Sequence, residues 1–185
     1  MRSLRCQFKF LILSGALALG GCLVSEDPVL DASNGRSAPI GPGAYVMCPV
    51  GEEADDCQIM DVSFDKTRLY TFVSEEEEPI EMRFRRVGRH GYGVQTREDN
   101  SYIYYYGKGN REQFQLTMML CADLPEMLRQ DLINQGHLET EDDDFETCLL
   151  KSKRGLVAAA RAYHRGEIES EESITLEFNR VTETQ

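Results

Sequence analysis

The chain is short of positive charge, lacks an apolar run long enough to cross a bilayer, and carries none of the short motifs that announce familiar chemistry. Lys and Arg number 20 against 32 Asp and Glu, for a net charge of −12. That balance repels phosphate backbones and anionic headgroups, which excludes nucleic acid and direct docking on acidic lipid, and leaves a basic protein or divalent cations as partners. The one strongly apolar stretch, Phe10 to Leu19, has about ten residues where a transmembrane helix needs about twenty. No G-x-S-x-G, H-E-x-x-H or Cys-His pattern occurs, and the EF-hand order D-x-[DN]-x-[DN]-G is absent. There is no internal repeat.

What is present begins with an address. Arg2, Arg5 and Lys9 make the start basic, and the first acid is Glu26. A basic head followed by a short apolar run has the charge asymmetry of an export signal. Its end, Leu19-Gly20-Gly21-Cys22, resembles the lipobox of bacterial lipoprotein precursors, in which a leucine and two small residues precede the cysteine. The resemblance covers the first 22 residues alone. It implies that the Cys22 thiol is diacylated and that the chain is cut just before it. Two or more acyl chains give stable anchoring where one binds only marginally. Leu23 stands where aspartate would imply inner-membrane retention, so the resemblance implies the outer membrane, facing the periplasm. Residues 1–21 are then the signal peptide. Without its three basic residues, 17 basic side chains face 32 acidic ones and the charge becomes −15.

Four further cysteines, Cys48, Cys57, Cys121 and Cys148, would sit in an oxidising compartment, where they read as two bridges with three possible connectivities. Cys48 with Cys57 and Cys121 with Cys148 is the local pairing. A four-cysteine metal site is the rival, but no C-x-x-C spacing and no well-placed His supports it, and no metal or cofactor is expected.

Residues 22–42 hold three of the six prolines among Ser, Gly and Asp, and read as a lipid-anchored flexible tether with a reach of about 25 Å. Residues 43–185 then form one globular domain. From residue 43 to 120 the pattern is mostly of period two, broken at turn residues. The predicted strands are "AYVMC", "QIMDVSF", "RLYTFV", "IEMRFRRV", "YGVQTR", "SYIYYY" and "QFQLTMML". Short connections between them predict an antiparallel meander. Beyond Cys121 the spacing predicts a helix capped by Asp123 and ended by Gly136. A second helix follows from Thr140 to Gly166, with Phe145, Cys148, Leu149, Leu156, Ala159, Ala160 and Tyr163 on its apolar stripe. "SITLEFNRV" reads as a final strand. The expected fold class is therefore α+β: an antiparallel sheet with two C-terminal helices packed on one face and a last strand joining the sheet.

Three groups of residues are candidates for chemistry. Tyr102, Tyr104 and Tyr106 alternate onto one strand face; exposed, they would stack on sugar rings or anchor a protein, and covered by the helices they are ordinary aromatic packing. The acidic runs Glu52–Asp56, Glu75–Glu78 and Asp142–Asp144 read as solvated loops and a helix start. His90, His137 and His164 each lie near a turn or helix end, and the glycines of "GRHGYG" suit a hairpin better than a phosphate loop. The expectation is a non-enzymatic binding or structural module acting through protein contacts. A small-ligand or glycan carrier would need a cavity between helices and sheet, and a periplasmic hydrolase would need His90 or His137 to meet an acid or nucleophile.

Overall fold

The computed structural model describes residues 21–51, 57–75, 78–140, 148–168 and 174–182. Residues 1–20, where the sequence leads us to expect a signal peptide, the acidic residues within 52–56, 76–77 and 141–147, and Phe145 lie outside them. In chain order the elements are β1 (Leu23–Ser25), β2 (Gly43–Pro49), β3 (Gln58–Phe64), β4 (Tyr70–Val73), β5 (Ile80–Gly88), β6 (Gly91–Glu98), β7 (Ser101–Gly109) and β8 (Gln113–Met118). They are followed by α1 (Glu126–Asn134), β9 (Leu138–Thr140), β10 (Cys148–Leu150), α2 (Lys153–Arg165) and β11 (Thr175–Arg180).

Strands β2 to β8 pair in sequence, each antiparallel to the next, as the alternation of apolar and polar residues predicts. The expected open sheet does not form. β11 inserts between β8 and β2, pairing Phe178 with both Phe114 and Met47, and so closes an eight-stranded antiparallel barrel. Eight strands leave an interior just wide enough for side chains to fill. Inward residues of alternate positions fill it, among them Tyr45, Met60, Phe72, Phe84, Phe114 and Phe178. Their rings meet tilted or edge to face, at 4.9 Å for Tyr70 with Phe84 and 5.6 Å for Phe72 with Phe178, a geometry that adds about 0.5–1.5 kcal/mol per pair beyond burial.

The helical prediction also needs correction. Of the two described helices, α2 is the one that lies along the barrel, on the outer face of β5, β6 and β7. Within the second expected helix the described residues Cys148, Leu149 and Leu150 are strand: they form β10, hydrogen-bonded to β9 and running parallel to β1. Three consecutive apolar residues satisfy a buried strand as well as a helix stripe, so periodicity alone does not separate them. α2 starts afresh at Ser152, whose Oγ accepts from Gly155 N–H, and stops at Gly166 in the left-handed region. Pro125, not Asp123, occupies the N-cap position of α1. Asp123 is fully buried, and its Oδ2 accepts from the Tyr163 hydroxyl at 2.7 Å, while that hydroxyl accepts from Leu120 N–H. The loop after β8 is thereby fastened to α2.

Residues 23–42 do not run free as a tether. β1 lies between β7 and β10, and the chain then crosses the outside of the barrel from one end to the other. Leu30 N–H donates to Gln95 Oε1 at 2.7 Å and its carbonyl accepts from Gln95 Nε2 at 3.1 Å. Ser37 N–H donates to Phe84 O, and Ile40, which joins the barrel core, accepts from the Tyr70 hydroxyl. Leu23, Leu30 and Ile40 are buried, each contributing about 1.5–3 kcal/mol. Isolated apolar residues among Pro, Ser and Gly carry no period, which is why this strap reads as a linker.

Candidate functional site

Both disulfides form in the local pairing, Cys48–Cys57 and Cys121–Cys148. Because Cys148 belongs to β10, the second bridge ties the exit of β8 to the strands flanking β1 rather than a helix to the sheet. Among the described residues Cys22 is the free cysteine.

Cys22 stands immediately before β1, at the rim of the barrel. Its carbonyl accepts from Cys148 N–H, Gly21 O accepts from Cys121 N–H, and Leu23 N–H donates to Met119 O. The residue is 3% exposed, and its Sγ lies 3.3 Å from Met118 Sδ. The inward face of β6, which carries Tyr92 and Val94 into the core, continues with Thr96 and Glu98 at this mouth. Burial, and secondarily the Glu98 carboxylate, push the Cys22 thiol up to about 11. Burial, then Asp99, raises the Glu98 carboxyl, and burial with Glu98 and Cys22 raises the Tyr105 phenol. Thr96 Oγ1 and Glu98 Oε1 are buried without a hydrogen-bond partner among the described residues. Each group therefore favours the neutral form of its neighbours, and a buried neutral thiol is a poor nucleophile.

The tyrosine face is covered. Tyr104 and Tyr106 are buried in a second core between the barrel, α2 and β10, and Tyr102 packs half-buried against it. Tyr104 Oη lies 2.6 Å from Ser25 Oγ, and Tyr106 Oη lies 2.8 Å from His164 Nδ1. Tyr105, on the opposite strand face, packs into the barrel. Tyr104 and Tyr106 are therefore core residues, while Tyr102 keeps part of its ring exposed.

The histidines take structural places. His90 occupies the β5–β6 turn at φ 58°, and its carbonyl accepts from Gly109 N–H. His137 does meet a nucleophile type: its Nδ1 is 3.0 Å from Ser152 Oγ. That oxygen is turned into the first turn of α2, where it accepts from Gly155 N–H at 3.2 Å. Ser152 itself has ordinary extended backbone angles, without the strain of a nucleophile elbow. The arrangement is a helix cap braced by a histidine. His164 lies across Gly88 and Gly91, where an added Cβ would fall 2.2 and 2.4 Å from its ring. A Cβ on Gly93 would fall 3.2 Å from Leu156. The glycines of "GRHGYG" therefore clear a bed for α2 as well as forming a hairpin. The sequence signal for this was the match of Gly88, Gly91 and Gly93 with the small residues Ala159 and Ala160 of α2.

No three His, Cys, Asp or Glu side chains among the described residues converge to hold a metal ion. None of the helices among them is long and apolar enough to cross a membrane. No protein-family model matches the chain, and no curated protein or solved structure matches it.

Proposed function

We propose that this is an acylated envelope protein, held in the outer membrane through Cys22 and facing the periplasm. Its barrel serves as a non-enzymatic binding or structural module that works through protein contacts. The observation that carries the reading is the arrangement of cysteines around "LGGC": four cysteines pair, and the one left over among the described residues, Cys22, stands where the export-like head ends. Acylation before folding suits its place, since Cys22 leads straight into β1 and is shielded once β1 docks. The filled barrel supports action through the outer surface rather than by carrying a cargo inside.

Metabolic labelling with a fatty-acid analogue, followed by membrane fractionation, tests the anchor. The wild-type chain should take up label and sediment with membranes. Cys22→Ala should lose the label and appear in the soluble periplasmic fraction; a variant that stays with the membrane refutes the reading.

A further inference from the structure

Resting on that acyl anchor, the geometry points to a defined posture: we propose that the barrel stands with its Cys22 end on a zwitterionic bilayer surface, with Val50, Ile59, Val73 and Ile174 in contact with lipid.

The first support is the absence of slack. Each extended residue spans at most about 3.6 Å, and β1 begins at Leu23, hydrogen-bonded on one side to β7 and on the other to β10. An acyl chain on Cys22 therefore holds this end of the barrel within one residue of the lipid. The distance-keeping linker expected from the sequence is strapped to the barrel and cannot extend.

The second support is the distribution of exposed apolar side chains. In an antiparallel barrel, strand ends alternate, so the C-terminal ends of β2, β4, β6 and β8 share one mouth with the N-terminal ends of β3, β5, β7 and β11. Met118 at the end of β8 touches Cys22, which identifies this mouth as the Cys22 end. Val50 is 54% exposed, Ile59 64%, Val73 40% and Ile174 60%, and all four lie at or beside these ends. Of the other two large exposed apolar residues among the described ones, Met127 is on α1 and Val181 is at the opposite mouth, where its N–H donates to Ala44 O. The rim is continuous across adjacent strands: Val50 N–H donates to Thr175 O, and Met118 N–H to Ile174 O. Val50, Ile174, Met118 and Cys22 thus follow one another along the mouth.

Charge selects the lipid. Glu75 and Glu78 stand exposed between β4 and β5 at this end, and Glu98 and Asp99 lie at the β6–β7 turn; anionic headgroups would repel these carboxylates. A zwitterionic surface admits the apolar rim without that opposition.

The chain contains no tryptophan, so one introduced indole reports its own surroundings. Acylated Ile174→Trp and Val181→Trp proteins are reconstituted into phosphatidylcholine vesicles with brominated acyl chains, and flotation is measured before fluorescence. Ile174→Trp should shift to the blue and lose at least half of its emission, while Val181→Trp keeps its solvent-like spectrum. Floating protein with an unquenched Ile174→Trp, or with both positions quenched alike, overturns the posture and leaves the anchor standing. Failure to float overturns both. Replacing a third of the lipid by phosphatidylglycerol at low salt should weaken the quenching, and stronger quenching would overturn the choice of a zwitterionic surface.

Discussion

Replacing Gly91 with alanine should destabilise the domain although it adds a single methyl group on a strand that tolerates alanine's backbone angles. The new Cβ would lie 2.4 Å from His164 Nδ1 and 2.8 Å from Cε1, well inside the ordinary carbon contact distance of about 3.5–4.0 Å. The ring has nowhere to slide, because Gly88 beneath its other edge is as close, and it is tied to the Tyr106 hydroxyl at 2.8 Å. Either the ring leaves, stripping a buried phenol of its partner, or α2 lifts and opens Leu156 and Ala160 from Gly93. Overpacking of this kind costs about 1–3 kcal/mol. For a domain of this size 1 kcal/mol moves Tm by about 2–4 °C, so the midpoint should fall by about 2–12 °C. The assay is urea and thermal unfolding followed by circular dichroism in the soluble Cys22→Ala background. The decisive comparison is a cycle with His164→Ala, which removes the obstructing ring. The double variant should be less destabilised than the sum of the singles by at least about 1 kcal/mol, whereas additivity within about 0.5 kcal/mol refutes the contact.

Alkaline pH should unfold the domain cooperatively. Burial holds the phenols of Tyr70, Tyr104 and Tyr106 up at about 12, against about 10 when unfolded. The folded state thus keeps protons that the unfolded state releases, and this stability is complete below about pH 10 and lost as pH rises through 12. Phenolate absorbance should climb together with loss of tertiary circular dichroism; smooth titration near pH 10 with the fold intact would contradict it. Replacing Cys121 and Cys148 by alanine should cost about 3.5 kcal/mol on the loop-entropy relation for a separation of 27 residues, read as a lower urea midpoint. Ser152→Ala removes the cap on Gly155 N–H and should cost about 1 kcal/mol, measured the same way, with a change below about 0.3 kcal/mol showing that the cap carries nothing.

Much of the barrel wall was legible residue by residue. Ile80, Met82 and Phe84 on one face of β5, and Phe114 and Leu116 on one face of β8, point inward as their alternation requires. Closure was not legible, since a period of two is the same in an open sheet and in a closed one. The partners that close the wall, β11 with β2, pair Phe178 with Met47 from opposite ends of the domain. The same limit applies to the candidate site. That Tyr102, Tyr104 and Tyr106 share a face follows from strand geometry, but that Tyr104 and Tyr106 are buried follows only from α2 and β1 arriving there.

Local chemistry, by contrast, was written along the chain: the acidic charge, the short export-like head, the cysteine after two glycines, four later cysteines fit for two bridges, and the inward side of each strand. Tertiary structure alone decided the closure of the sheet, the strapping of residues 23–42 across its outside, the shielding of Cys22 and the use of three glycines as a bed for α2. The division has one cause. Which way a side chain points is set by backbone geometry within a few residues, whereas whether that direction meets water or protein depends on surfaces delivered from distant parts of the chain.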